Sequence, residues 1–114
     1  MGLLRDKRVL VTAGAQGIGK AISMELIRQG CRVAVHYFTS RQGAEEVKKS
    51  ADQLGARAEI FQADLTQEAE AIRLVKEAVS FLGGLDILIN NAGTLVGRKT
   101  LDETTLEFWK SVMD

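Results

Sequence analysis

Apolar positions along this chain fall into two alternating rhythms. Short unbroken runs, such as Val9-Leu10-Val11 and Leu85-Asp86-Ile87-Leu88-Ile89 with its single acid, are separated by stretches where apolar residues recur every three or four positions. An unbroken run suits a strand buried on both faces of a parallel sheet, and a recurrence of three and four suits a helix with one packed face. The runs predict strands over residues 9–13, 32–37, 58–63 and 85–90. The intervening stretches predict helices. The first covers residues 17–29, with Gly30 at the C-terminal glycine position. The second covers residues 41–54, with Ala44, Val47, Ala51 and Leu54 on one face and Gly55 ending it. The third is capped by Thr66 and runs to about residue 82, with Ile72, Val75, Val79 and Leu82 on one stripe before Gly83-Gly84. Thr104 and Glu107 form a capping box that opens a last helix through Phe108, Trp109, Val112 and Met113.

Strands alternating with helices mean right-handed βαβ units and an α/β fold, a Rossmann-type parallel sheet with flanking helices. The expected strand order is 3-2-1-4, with a ligand at the carboxyl ends of the strands beside strand one. The 114 residues suffice for one small domain over 1–114. Apolar residues make up 46%, enough for a packed core, and the formal net charge of zero argues against a general nucleic-acid or anionic-membrane surface. No apolar run approaches the ~18 residues of a membrane span. The opening MGLLRDKR is too short and too charged to read as a secretory signal, so a cytoplasmic location is expected. Cys31 is alone and reads as a small buried hydrophobe. One His and one Cys leave no plausible zinc cluster, so no metal site is expected, and His36 reads as structural.

The segment TAGAQGIG, Thr12 to Gly19, carries the chemistry. It lies between the first predicted strand and the first predicted helix. Glycine there permits backbone angles that a Cβ would strain and lets phosphate approach the chain. The helix start adds unpaired N–H donors and the positive end of a dipole. Gly17 and Gly19 are the positions for close approach, Ile18 would donate its N–H and cover a cofactor, and Gln16 would flank a ribose-phosphate. Ala13 and Gly14 complete the turn.

Three features together carry a family resemblance. They are Thr-x-Gly-x-x-Gly-x-Gly from Thr12, the acidic Asp64 after the third strand, and Asn90-Asn91-Ala92-Gly93 after the fourth. In order and spacing this set resembles the short-chain dehydrogenase/reductase family, most of all its 3-oxoacyl-carrier-protein-reductase-like members. One departure is Ala13, which stands where the family usually has Gly. The resemblance implies that Asp64 contacts an adenine amino group and that the Leu65 N–H reads a ring nitrogen; an Asx turn before Thr66 is the alternative for Asp64. It also implies that Asn91, Ala92 and Gly93 run beside the adenine ribose and shape the nicotinamide pocket, with Asn90 tying strands together. A structural role for Asn91 remains the other choice.

The end of the second strand bears on the nucleotide. NAD-specific sheets place an acid about 20 residues after the turn, where it takes both ribose hydroxyls. Tyr37 stands there instead, and Thr39, Ser40 and Arg41 offer hydroxyls and a guanidinium to a 2′-phosphate. NADP is therefore favoured over NAD. Ser40 would also cap the second helix.

The family's Tyr-x-x-x-Lys pair is missing: the only tyrosine is Tyr37, followed four residues later by Arg41. No catalytic residue is expected before Asp114. The helical pattern still running at Asp114, and a fourth strand left as an edge, suggest the front part of a longer protein. The leading expectation is the cofactor-binding part of an oxidoreductase acting on a ketone or alcohol substrate. A small-molecule carbonyl substrate and a homo-oligomer, built through the helix from Thr104, are implied by the resemblance. The alternative is a truncated, non-catalytic nucleotide-binding module. A P-loop nucleotidase fits less well, because Gly14 to Gly19-Lys20 is followed by Ala21 where a Ser or Thr should hold magnesium.

Overall fold

The computed structural model describes residues 4–91. Seven elements follow in strict alternation: β1 Arg8–Thr12, α1 Gly17–Arg28, β2 Arg32–Tyr37, α2 Arg41–Gln53, β3 Ala58–Gln62, α3 Glu68–Leu82 and β4 Ile87–Asn90. The four strands form one parallel sheet in the order β3-β2-β1-β4, as the alternation predicts. Leu10 pairs in register with Ala34 on one side and Leu88 on the other, so β1 is central.

Both faces of β1 are covered, which explains its unbroken apolar run. Val9 and Val11 point to the layer of α1 and α2, where they meet Leu26, Ile27, Val47 and Ala51 beside Val33 and Val35. Leu10 and Ala34 point the other way and meet Leu74, Val75, Ala78 and Leu82 of α3. Leu10 is fully buried; burying such a side chain contributes about 1.5–3 kcal/mol. The stripes on the helices match this arrangement in part. Ala44, Val47 and Ala51 are the buried residues of α2, whereas Leu54, expected on the same face, lies past the helix end and is exposed. α3 buries Val75 and Leu82 as expected but does so with Ala71, Leu74 and Ala78, while Ile72 and Val79 are only partly covered at the margin of that face.

Several boundaries differ from the sequence expectation, each for a visible reason. The first strand stops at Thr12, because Ala13 turns into the left-handed region at φ 51°. The fourth begins at Ile87, because Asp86 is used to bind Arg8. Thr66 does not cap α3. Its hydroxyl donates to the Asp64 carboxylate at 2.6 Å, and Gln67 takes the cap position. Ser40 does stand at the start of α2, yet it makes no side-chain cap bond, since its hydroxyl donates to Gln16 Oε1 at 2.5 Å. The glycines read as helix stops, Gly30, Gly55 and Gly83, all carry positive φ. Ala92, Gly93 and the helix expected from Thr104 lie outside the described residues.

Candidate functional site

The carboxyl ends of β1, β2 and β3 meet around a cleft of about 240 Å³. The turn after β1 lines one side with Ala13, Ala15 and Gln16. The segment after β2 lines the floor and far wall from His36 to Ser40, and Asp64, Leu65 and Thr66 close it from β3. Seven expected site residues therefore share one concavity: Ala13, Gln16, Tyr37, Thr39, Ser40, Asp64 and Leu65. Gly14, Gly17, Ile18, Gly19, Arg41 and Asn91 do not line it.

The turn itself is shaped by absent Cβ atoms. Gly17 has φ 55°, and a Cβ built there would meet nothing within 4 Å, so this position is both left-handed and open. Gly19 is the opposite case. A Cβ there would stand 2.0 Å from the Ala13 carbonyl oxygen and 2.4 Å from Asn91 Nδ2. Its absence lets α1 press onto the turn while Asn91 Nδ2 donates to the Ala13 oxygen at 3.3 Å. Asn90 ties the sheet at the same level, its Oδ1 accepting the Thr12 hydroxyl at 3.0 Å. Ile18 stands out from the helix start with 75% of its surface exposed. The first turn of α1 leaves its N–H groups without intrahelical acceptors by position. The earliest helical bond here runs from the Lys20 N–H to the Gln16 oxygen.

Two residues that sequence reasoning did not assign to the site shape the turn. His36 is 3% exposed; its Nδ1 accepts the Ala13 N–H, and its Nε2 lies 2.9 Å from the Ala63 oxygen. Burial pushes its pKa down, with the Ala63 hydrogen bond opposing. Gly43, on α2, brings that helix against the turn: a Cβ there would lie 2.0 Å from the Ala15 oxygen. The isolated glycine inside a helical pattern was the one signal that could have found Gly43. His36 carried none, because its partners lie 23 and 27 residues away.

The remaining side chains are committed in part. Tyr37 is buried against Ala15 and Ala44 rather than standing free in the cleft. Phe38 is half exposed beside it. Arg41 donates to Glu45 at 3.0 Å on the outer face of α2. Asp64 Oδ1 accepts both the N–H and the hydroxyl of Thr66, and these two bonds lower its pKa. The Asx turn considered for Asp64 is thus present. Among the described residues no group of three or more His, Cys, Asp or Glu is placed to hold a metal ion. Among the described residues no helix is long and apolar enough to cross a membrane.

An open left-handed glycine and a bare helix start thus stand beside a carboxyl-end cleft at the switch point of a parallel sheet, the place where open α/β sheets take ligands. The sequence profile of the short chain dehydrogenase family matches residues 7–114. The chain belongs to the short-chain dehydrogenase family. Among relatives of this short-chain dehydrogenase chain is short-chain dehydrogenase/reductase FrzI of Cladobotryum sp, 40% identical over 111 residues, covering 97% of this chain and 43% of FrzI. Another is hydroxynaphthalene reductase arp2 of Aspergillus fumigatus, 40% identical over the same length and covering 40% of that protein. A short-chain dehydrogenase from Burkholderia cenocepacia J2315, solved in complex with NADP, superposes with a TM-score of 0.76 at 42% identity, covering 80% of this chain and 37% of that one. The chain thus spans about two fifths of the length of the curated relatives it matches. The family resemblance read from TAGAQGIG, Asp64 and NNAG holds, whereas the 3-oxoacyl subtype does not appear in these names: arp2 is a hydroxynaphthalene reductase, and the other two are named for the family alone.

Proposed function

We propose that this chain is the NADP(H)-binding portion of a short-chain dehydrogenase/reductase that transfers a hydride between nicotinamide and a ketone or alcohol substrate. The observation that carries the reading is Gly17, left-handed and with open space where a side chain would stand, directly at the start of α1. The diphosphate would lie against the N–H groups of Gly17, Ile18 and Gly19, with Ile18 covering it. Ala13, Gly14 and Gln16 shape the approach. The adenine would sit between Asp64 and Leu65, where Asp64 Oδ2 faces the exocyclic amine and the Leu65 N–H faces a ring nitrogen. Asn91, Ala92 and Gly93 would border the nicotinamide side.

NADP is preferred to NAD because no acid stands at the end of β2. A carboxylate there repels a 2′-phosphate; Thr39, Ser40 and Arg41 can bind one. Arg41 would have to exchange Glu45 for the phosphate, a small cost for an exposed pair. The NADP complex of the Burkholderia cenocepacia relative supports this choice. The hydride comes from the reduced nicotinamide ring when it is bound. The chain's own part is to bind and orient the dinucleotide, while the residues that move the substrate proton are assigned to the further length that relatives possess. A 3-oxoacyl thioester and the cyclic ketone suggested by the hydroxynaphthalene reductase relatives are the two substrate classes to compare. A cytoplasmic location and a homo-oligomer belong to the same proposal, the latter checked by light scattering.

The test is a fluorescence titration with NADPH of the wild-type chain and of Gly17→Val. A valine fills the phosphate approach and strains the left-handed backbone, so affinity falls by roughly 100-fold. Equal titration curves would reject this placement. The second reading, a nucleotide-binding module without catalysis, is favoured by the missing Tyr-x-x-x-Lys pair. The 114-residue chain should show no reductase turnover on either ketone class, and measurable turnover would overturn the assignment of catalysis to the part of the relatives that this chain does not span.

A further inference from the structure

We propose that His36 is the positioning residue of the glycine-rich turn, and that only its neutral form with the proton on Nε2 holds the turn in its binding shape. The binding half of this proposal rests on the dinucleotide reading above. The tautomer follows from the partners alone. The Ala13 N–H can only donate, so Nδ1, 2.9 Å away, must present a lone pair. The Ala63 carbonyl can only accept, so Nε2, also at 2.9 Å, must carry the hydrogen. One protonation state and one tautomer satisfy both bonds. The backbone of the same residue adds a third: the Gly14 N–H donates to the His36 oxygen at 2.9 Å. His36 therefore takes two consecutive N–H groups of the turn, one with its ring and one with its carbonyl.

Those bonds fall where the turn needs them. Ala13 sits at φ 51°, a region that a residue with a Cβ rarely adopts, and an external bond must hold it there. Its carbonyl then serves two further contacts. It accepts Asn91 Nδ2, and it is the surface onto which α1 presses at Gly19. A rotation of the Ala13 peptide would disturb the end of β4 and the start of α1 together. His36 thus fixes Ala13 from both sides: its ring holds the Ala13 N–H, and its carbonyl, through the Gly14 N–H, holds the peptide on which three elements converge. It also spends the Ala13 and Gly14 N–H groups, so the donors left for a phosphate begin farther along, at the start of α1.

The imidazolium cannot make the same set, because a proton on Nδ1 would face the Ala13 N–H. The charged and titratable groups around the ring offer it no replacement. Tyr37 neighbours it on β2. Asp64 lies beyond Ala63 with its Oδ1 turned into Thr66. On α3, Glu70 Oε1 accepts the Asp64 N–H and pairs with Arg73. On α2, Arg41 pairs with Glu45. The turn and β1 contribute no charge beside the ring. Burial lowers the ring's pKa from 6.5, so the bond to Ala13 is intact at neutral pH and is lost as pH falls through that lowered value.

The experiment reads the ring and the ligand separately. Nitrogen-15 NMR of the chain should show the proton on Nε2 at pH 7.5, with the Ala13 amide protected from exchange until the ring titrates. A proton on Nδ1, or an Ala13 amide indifferent to the titration, overturns the proposal whether or not a dinucleotide binds. NADPH titrations then compare two variants. In His36→Asn the side-chain oxygen stands where Nδ1 stood; in His36→Gln the amide reaches toward Ala63 instead. The Asn variant should bind within about 2-fold of wild type, and the Gln variant about 10-fold more weakly, the loss of one hydrogen bond. As pH falls from 7.5 through the ring's own titration, located by the NMR, the wild type should weaken more than His36→Asn, which shares the titration of the ligand's own phosphate but has no ring. Equal affinities for the two variants, or equal pH profiles for wild type and Asn, would sink the idea. A wild-type chain that never binds NADPH counts against the proposed function, while the NMR result still decides the role of His36.

Discussion

The two ends of β1 use hydrogen bonds in opposite ways. At the entry, Arg8 has its donors in use. Its N–H, Nε and Nη2 reach the Asp86 carboxylate at 2.9 to 3.0 Å, and Nη1 reaches the Gly83 oxygen at 3.0 Å. The clamp joins the start of β1 to the loop before β4. At the exit, five residues later, the chain enters a turn where two N–H groups are held by His36 and the helix start beyond them has none of its donors matched by a carbonyl of its own helix. One end has its donors spent within the protein, and the other leaves those of the helix start open, as the proposed dinucleotide site requires. The difference teaches that the strand's apolar middle says where the sheet is, while only the polar accounting at its ends says which side can bind.

Glycine substitutions break this comparison most sharply. Gly19→Ala puts a Cβ against the Ala13 oxygen, and backbone must move. It should cost about 2–4 kcal/mol of stability, the range of severe overpacking, and should remove NADPH binding as well. Gly84→Ala is the counterpart at the entry end. Gly84 has φ 148°, and a Cβ would meet Arg8 Nη1 at 2.3 Å. This variant should lose roughly 1–3 kcal/mol from strain yet keep its NADPH affinity once folded. Denaturant melts and NADPH titrations on both variants check the pair. A Gly84→Ala chain that is folded but cannot bind would erase the distinction between the two ends.

A smaller effect tests the nucleotide preference at the exit end. Tyr37→Asp should shift the ratio of NADP to NAD affinity toward NAD by about 10-fold, because a carboxylate there takes ribose hydroxyls and repels the 2′-phosphate. Tyr37 is buried against Ala15 and Ala44, so the variant will also be less stable. The ratio of two dissociation constants, measured on the same folded protein, is insensitive to that loss. An unmoved ratio would mean that the end of β2 does not face the ribose.

Much of the fold was legible because its signals are local. Val9-Leu10-Val11 has no polar side to offer, so a strand buried on both faces follows from the run alone. Ala44, Val47 and Ala51 mark the inner face of α2 by spacing. The motif Thr12 to Gly19 was legible for the same reason, since strand, turn and helix start lie within a dozen residues. What the sequence hid depends on partners far along the chain or on competition between neighbours. Thr66 has the look of a helix cap, yet Asp64, two residues before it, captures the hydroxyl first. Ser40 has the same look and gives its hydroxyl to Gln16, 24 residues away. His36 reads as one polar residue in a strand. Its importance appears only when Ala13 and Ala63 are brought to either side of the ring.

The smallest expected effect belongs to the entry end and concerns pH. Hydrogen bonds from the Arg8 side chain and N–H hold the Asp86 carboxyl well below its usual range, at about 2 against 3.8. A lowered folded-state pKa means that the unfolded chain binds the proton first as pH falls. The stabilisation from Asp86 is therefore complete above pH 3.8 and is lost as pH falls toward 2. Asp86→Asn removes the carboxylate at every pH and should lower the melting temperature by roughly 5 °C at pH 7, the shift of a modest local loss in a chain of this size. The gap between wild type and variant should stay constant from pH 7 to about 5 and then narrow toward pH 2 as the wild type loses what the variant never had. NADPH affinity at pH 7 should not change, since the clamp stands at the far end of the strand from the turn. A gap that persists undiminished at pH 2 would mean that Arg8 and Asp86 do not hold the entry of β1 through charge. A change in affinity would mean that the two ends are coupled through the strand rather than independent.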